Sequence, residues 1–171
     1  LNQAMFGRNG EAPMAIIASQ SPSDSFYAAF EACKIALEYM TPVVLLSDGY
    51  IANGAEPWRI PDVNDLPDIK PRKILKDDNF APYDHDNDKL SRPWAIPGTP
   101  GFEHRIGGLE KWDKTGHVSY DTANHDYMVN LRKRKVDVIS DSFDEIVPLG
   151  DSSGNLLVLG WGGTYGAIRS A

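Results

Sequence analysis

The chain has 171 residues, 42% of them hydrophobic and 24% charged, enough for one ordinary domain or parts of two and too apolar for a disordered polymer. A formal net charge of −7 argues against a nucleic-acid partner, which would need clustered positive charge to displace counterions from phosphates. No apolar run reaches the roughly 18–20 residues that span a bilayer, and Leu1-Asn2-Gln3-Ala4-Met5-Phe6 lacks the basic stretch and apolar core of a secretory signal.

Residues 1–6 read as the tail of a helix. Met14-Ala15-Ile16-Ile17-Ala18 and Val43-Val44-Leu45-Leu46 are short continuous apolar runs, the pattern of strands covered on both faces in a parallel sheet. Between them, Ser21, Pro22 and Asp24 are placed as the start of a helix, with Ser21 as cap and Pro22 in the first turn. Its apolar residues Phe26, Phe30, Cys33, Leu37 and Met40 recur at spacings of four, three, four and three, one helix face that the pattern assigns to the core. Cys33 is the single cysteine and is expected there as a buried, inert thiol. One cysteine excludes an internal disulfide and a self-contained iron–sulfur site, and points to a cytoplasmic chain. Pro42 closes the helix, and the β-α-β crossover is expected to be right-handed.

Residues 50–122 differ in kind. They hold eight of the 12 prolines, at positions 57, 61, 67, 71, 82, 93, 97 and 100, with little periodicity. The aromatics Trp58, Phe80, Tyr83, Trp94, Phe102 and Trp112 argue against a simple linker. The stretch reads as an irregular arm packed onto something, with another subunit as one candidate. From 123 onward the pattern gives a helix over 124–137, with 142–146 as a possible continuation. A turn follows at Gly150-Asp151-Ser152-Ser153-Gly154, then a buried strand at Leu156-Leu157-Val158-Leu159-Gly160 and a helix start at 165–171. Arg132-Lys133-Arg134-Lys135 reads as a solvated helix face. Both ends read as cuts through domains.

Generic motifs supply no self-contained catalytic site. In Gly160-Trp161-Gly162-Gly163-Thr164-Tyr165-Gly166 the sixth position of a dinucleotide fingerprint is Tyr165, so a tight strand-to-helix turn is the reading. Asp84-His85-Asp86-Asn87-Asp88 imitates a calcium loop, but its sixth and twelfth positions are Lys89 and Ala95, which leaves a solvated acidic turn. His104, His117 and His125 lack zinc-protease spacing and are expected in structural or solvent-facing roles, with His104 beside Glu103 the one candidate for a ligand contact. No serine sits in a nucleophile elbow.

One resemblance runs through the chain in order. Phe6-Gly7-Arg8-Asn9-Gly10-Glu11-Ala12-Pro13, Ser21-Pro22-Ser23-Asp24, Pro42-Val43-Val44-Leu45-Leu46-Ser47-Asp48-Gly49, Arg92-Pro93-Trp94-Ala95-Ile96-Pro97-Gly98, Gly101-Phe102-Glu103-His104-Arg105-Ile106-Gly107-Gly108 and Gly160-Trp161-Gly162-Gly163-Thr164 together resemble the α subunit of 2-oxoacid, in particular 2-oxoglutarate, ferredoxin oxidoreductases.

The resemblance implies an α/β fold. Residues 1–49 would be the second half of the pyrimidine-binding thiamine-diphosphate domain, a partial parallel sheet. Residues 50–122 would be a connecting arm, and 123–171 a helix and the start of a domain like the transketolase C-terminal domain. It implies oxidative decarboxylation of a 2-oxoacid to an acyl-coenzyme A with electrons passed to ferredoxin, using thiamine diphosphate and magnesium. A β subunit would carry the magnesium ligands and an iron–sulfur cluster, making the enzyme a hetero-oligomer. Branched-chain oxoacid and pyruvate enzymes are the alternatives, as is a non-catalytic assembly module. The family's thiamine-contacting stretches would precede Leu1, so no catalytic or metal residue is assigned. Arg8, Asn9 and Glu11, together with Asp48 at a strand end, are the candidates for a site rim or subunit interface, and the isolated chain is expected to be inactive.

Overall fold

In a computed structural model that describes residues 1–74 and 79–171, the chain opens on a short helix, α1 (Asn2–Phe6). It then forms a β-α-β unit of β1 (Ala15–Ala18), α2 (Asp24–Tyr39) and β2 (Val43–Leu46). The two strands pair in parallel, with Ala15 opposite Val43 and Ala18 opposite Leu46, so the architecture is α/β with a short parallel sheet. The first turn of α2 is closed reciprocally. Ser21 Oγ accepts from Asp24 N–H at 3.3 Å, and the Asp24 carboxylate accepts from Gln20 N–H at 3.0 Å. Helix α2 ends at Met40 in the left-handed region, φ 49°, two residues before Pro42, which is poorly suited to continuing a helix.

The core lies on the other face of α2 from the one its most regular apolar stripe suggests. Ile35 and Tyr39 are buried, with Ile139 from the later helix, against Ala15, Ile17, Val43 and Val138. Phe26 and Leu37 remain 38% and 39% exposed, and Cys33 is exposed rather than a core thiol. Both faces of α2 are apolar. The sheet and α4 meet the face that carries Ile35 and Tyr39, and hydrophobic periodicity alone does not say which apolar face a neighbour covers.

The outer face carries the arm. Trp58 packs on Phe26 with ring centroids 5.4 Å apart, and the Trp94 indole N–H donates to Leu37 O at 2.7 Å. Glu38, 6% exposed, accepts from Lys70 N–H at 2.9 Å and from the Lys89 ammonium. The arm therefore packs on its own chain. It contains a short helix, α3 (Gly49–Asn53), a 3-10 turn Val63–Asp65, and isolated bridges that pair Lys73 with Trp94, Tyr83 with Lys114, and Lys111 with Val118.

Helix α4 (Thr122–Ser140) begins at Asp121, whose carboxylate accepts from Asn124 N–H at 2.8 Å. Asn124, 6% exposed, fastens the arm to it. Its amide donates to Lys111 O at 2.9 Å and its carbonyl accepts from Asp113 N–H at 3.1 Å. Beyond Ser140 the chain leaves regular structure, and 142–146 do not extend the helix. Leu156, Leu157, Val158 and Leu159 form no strand; they are 84%, 76%, 59% and 89% exposed. Among the described residues no strand lies beside them, and an unpaired strand has no ladder to hold it. A 3-10 turn, Gly162–Thr164, then leads into α5 (Tyr165–Ser170). No helix among the described residues is long and apolar enough to cross a membrane.

Candidate functional site

The four rim candidates fall at opposite ends of the parallel pair. Arg8, Asn9 and Glu11 lie in the loop before the amino end of β1, whereas Asp48 follows the carboxyl end of β2. They do not converge on one site.

At the amino end, Arg8 organises its own loop. Its guanidinium donates from Nε to Ala4 O at 3.2 Å and also to Ala12 O. Asn9 is exposed. Glu11 forms an ion pair with Arg132 of α4, whose other nitrogen reaches Glu110 at 3.3 Å; Glu110 also meets His125 at 2.6 Å. The hydrogen bond from Arg132 holds the Glu11 carboxyl below the usual carboxylate range. Burial acts to raise Glu110, but the bonds to His125 and Arg132 outweigh it, and that carboxyl also lies low. Burial opposes the charge of Arg132, yet its two carboxylates push its basicity up.

The basic run at 132–135 is accordingly not one solvated face. Arg132 bridges two acids, while Lys133 pairs with Asp137 along the helix at 2.9 Å. Lys135 is half-buried and brought down to about 8 by desolvation and by the nearby Arg92 charge.

At the carboxyl end, Asp48 caps α3, with Oδ1 accepting from Ile51 N–H at 2.9 Å. Its other face meets the glycine turn. A Cβ built on Gly163 would lie 2.2 Å from Asp48 Oδ2, and one on Gly162 would lie 3.7 Å from Ser19 O. Ser19, at the end of β1, is 1% exposed, and its Oγ has no hydrogen-bond partner. The segment 160–164 thus folds back as a tight turn over the carboxyl ends of both strands.

The remaining polar motifs resolve locally. The Asp86 carboxylate accepts from the backbone N–H groups of Asp88 at 3.0 Å and Ser91 at 3.2 Å, closing the acidic turn on itself. Arg72 joins it through Asp84 at 3.1 Å. His104 and Glu103 do not meet: His104 Nδ1 bonds Phe102 O at 2.8 Å, and the Glu103 carboxylate accepts from Gly101 N–H at 2.9 Å. Sequence reasoning overlooked Arg132 as the partner that Glu11 shares with Glu110. No local pattern links Glu11 to an arginine 121 positions away.

A short parallel α/β unit whose carboxyl edge is covered by a glycine turn, with a long self-packed arm, defines a class of domain rather than a chemistry. Comparison with known proteins narrows it. Residues 2–123 match the family profile of the thiamine-diphosphate-binding domain of pyruvate flavodoxin/ferredoxin oxidoreductase, and the chain belongs to that family.

It is 54% identical over its full length to the 2-oxoglutarate oxidoreductase subunit KorA of Mycobacterium tuberculosis, covering 26% of that protein. It is 29% identical, again over its full length, to the α subunit of 2-oxoacid:ferredoxin oxidoreductase 2 of Aeropyrum pernix, covering 27% of it. Its fold matches that of 2-oxoglutarate:ferredoxin oxidoreductase from Magnetococcus marinus, a structure with 2-oxoglutarate, coenzyme A and succinyl-CoA bound. There the TM-score is 0.84 and the identity 28%, over 99% of this chain and 30% of that one. The chain spans about a quarter to a third of the length of these relatives.

The family binds thiamine diphosphate, but the described residues do not on their own form a diphosphate–metal clamp. No group of three or more His, Cys, Asp or Glu side chains among them could hold a metal ion, and Glu11 is paired with Arg132.

Proposed function

We propose that the chain is part of the α subunit of a thiamine-diphosphate-dependent 2-oxoacid:ferredoxin oxidoreductase. The reaction is oxidative decarboxylation of a 2-oxoacid, 2-oxoglutarate before pyruvate or a branched-chain oxoacid. It joins the acyl group to coenzyme A, releases carbon dioxide and passes an electron pair to ferredoxin. The observation that carries this reading is the 54% identity across the whole chain to a 2-oxoglutarate oxidoreductase subunit, supported by the fold match at TM-score 0.84.

In such an enzyme thiamine diphosphate supplies the carbanion chemistry, and protein supplies position and electrostatics. This chain's part is scaffolding. The Glu11–Arg132–Glu110 network fixes the loop at 7–11 onto α4, leaving Asn9 and the loop backbone to face a neighbour. We assign that loop to the rim of a shared pocket or to the subunit interface, and Asp48, at the opposite edge of the sheet, to a separate contact. The partner is a β subunit carrying magnesium and an iron–sulfur cluster, in a cytoplasmic hetero-oligomer.

The test is ferredoxin reduction by the α subunit bearing this chain, purified with its β subunit, in the presence of coenzyme A and each oxoacid in turn. The expected order is 2-oxoglutarate first. Equal or faster turnover of pyruvate would overturn the substrate assignment, and no turnover of any oxoacid would leave the non-catalytic assembly module as the reading.

A further inference from the structure

The glycine turn is the motif that the proposed function does not absorb, and its contacts are specific. Gly162 has φ +62°, a conformation that L side chains resist. Gly163 has no such need, yet a Cβ there would lie 2.2 Å from Asp48 Oδ2, 3.0 Å from its Cγ and 3.1 Å from Oδ1. Gly160 is similarly closed, by Ile168 Cδ1 at 2.2 Å. By contrast Gly166, on the same short helix, has nothing within 4 Å.

Asp48 is held on its other side, because Oδ1 is fixed by Ile51 N–H at 2.9 Å and swinging the carboxylate away would uncap α3. Beneath the turn lie the Ser19 carbonyl oxygen and Ala18 Cβ, 3.7 and 3.8 Å from a Gly162 Cβ. The exposed run 144–160 before the turn carries no regular structure, so contacts at the turn itself set where it sits.

We infer that Gly162–Gly163 is a strap that clips the segment after α4 onto the carboxyl edge of the β1–β2 pair, with Asp48 as the post it closes against. The strap covers the edge at which open α/β sheets usually admit ligands, so the second oxygen of Asp48 reaches a ligand only when it lifts. Asp48 is a positioning residue in this arrangement: one carboxylate oxygen holds α3 and the other gauges the approach of the turn.

The test exploits opposite expectations for two glycines. Helix propensity favours alanine at Gly166 within α5, whereas the strap predicts injury at Gly163, in the 3-10 turn. In the 171-residue chain, nuclear Overhauser contacts between residues 162–163 and residues 18–19 and 48 report docking. The Gly163→Ala variant should raise the undocked population about tenfold to a hundredfold, the scale of overpacking a closed contact, and Gly166→Ala should leave it unchanged.

Asp48→Ser keeps a capping oxygen but shortens the post, so Gly163→Ala in that background should recover docking. Native contacts in Gly163→Ala, or equal losses in Gly163→Ala and Gly166→Ala, would overturn the proposal. So would failure of Asp48→Ser to restore docking while α3 stays folded. Dispersed spectra from the core residues Ile35, Tyr39 and Ile139 in each variant separate undocking from global unfolding.

Discussion

Val43-Val44-Leu45-Leu46 and Leu156-Leu157-Val158-Leu159 are almost the same run of residues with different fates. The first pairs with β1 along its whole length, and its Val43 packs against the core of α2 and α4. The second is exposed and in no regular structure, with Leu159 at 89%. Propensity is equal, so the difference lies in neighbours: a strand persists where another strand completes its ladder and a helix covers its face. The region up to Ser140 supplies both for itself, whereas the region after it meets the sheet edge at the glycine turn.

Breaking the well-packed region should cost most at Glu38, which is 6% exposed and joins α2 to the arm at Lys70 and Lys89. Glu38→Ala leaves the Lys70 N–H and the Lys89 ammonium without their acceptor and should destabilise the chain by about 3 kcal/mol in urea unfolding. The same site gives a pH dependence. Burial acts to raise the Glu38 carboxyl, but the bonds from Lys89 and Lys70 bring it below its ordinary 4.5. Its contribution is present in full above that value and is lost as pH falls through the lower folded-state value. The gap between native and Glu38→Ala stabilities should therefore narrow on acidification below pH 4.5, and a constant gap would speak against the ion pair.

Asn124→Ala removes two of the side-chain bonds that fasten the arm to α4 and should cost about 2 kcal/mol, since it strands buried backbone groups; thermal denaturation measures it. Arg132→Met should cost about 1 kcal/mol, because its acids remain partly solvated. Its more telling effect is raised hydrogen exchange confined to the loop at 7–11, and unchanged exchange there would detach Glu11 from α4. The smallest effect belongs to the other region. Leu157→Asn should shift stability by less than about 0.5 kcal/mol in a chain where Leu157 is 76% exposed; a loss above 1 kcal/mol would show that the run is packed after all.

The strands were legible in the sequence because continuous apolar runs bounded by Pro13, Pro42 and Asp48 leave few other structures. Helix α4 was legible over 124–137 from its pattern, whereas its start at the Asp121 cap and its end at Ser140 were not. The face of α2 was not, because Phe26, Phe30, Cys33 and Leu37 make a more regular stripe than Ile35 and Tyr39, and periodicity reports apolar faces without saying what covers each. The arm's attachment through Trp94 and Glu38 depends on contacts 57 and 51 residues apart, beyond any local pattern. At the candidate site, Arg8, Asn9, Glu11 and Asp48 were recognisable as polar residues at strand ends. That Glu11 pairs with Arg132, and that Asp48 faces Gly163, are facts of tertiary approach that only the folded chain displays.

The account rests on this chain being scaffold to a shared pocket, and calorimetric titration with magnesium thiamine diphosphate tests that most directly. The assembled α and β subunits should bind the cofactor saturably and the 171-residue chain alone should give only the heat of dilution. Stoichiometric binding by the chain alone, with decarboxylation of 2-oxoglutarate, would contradict it.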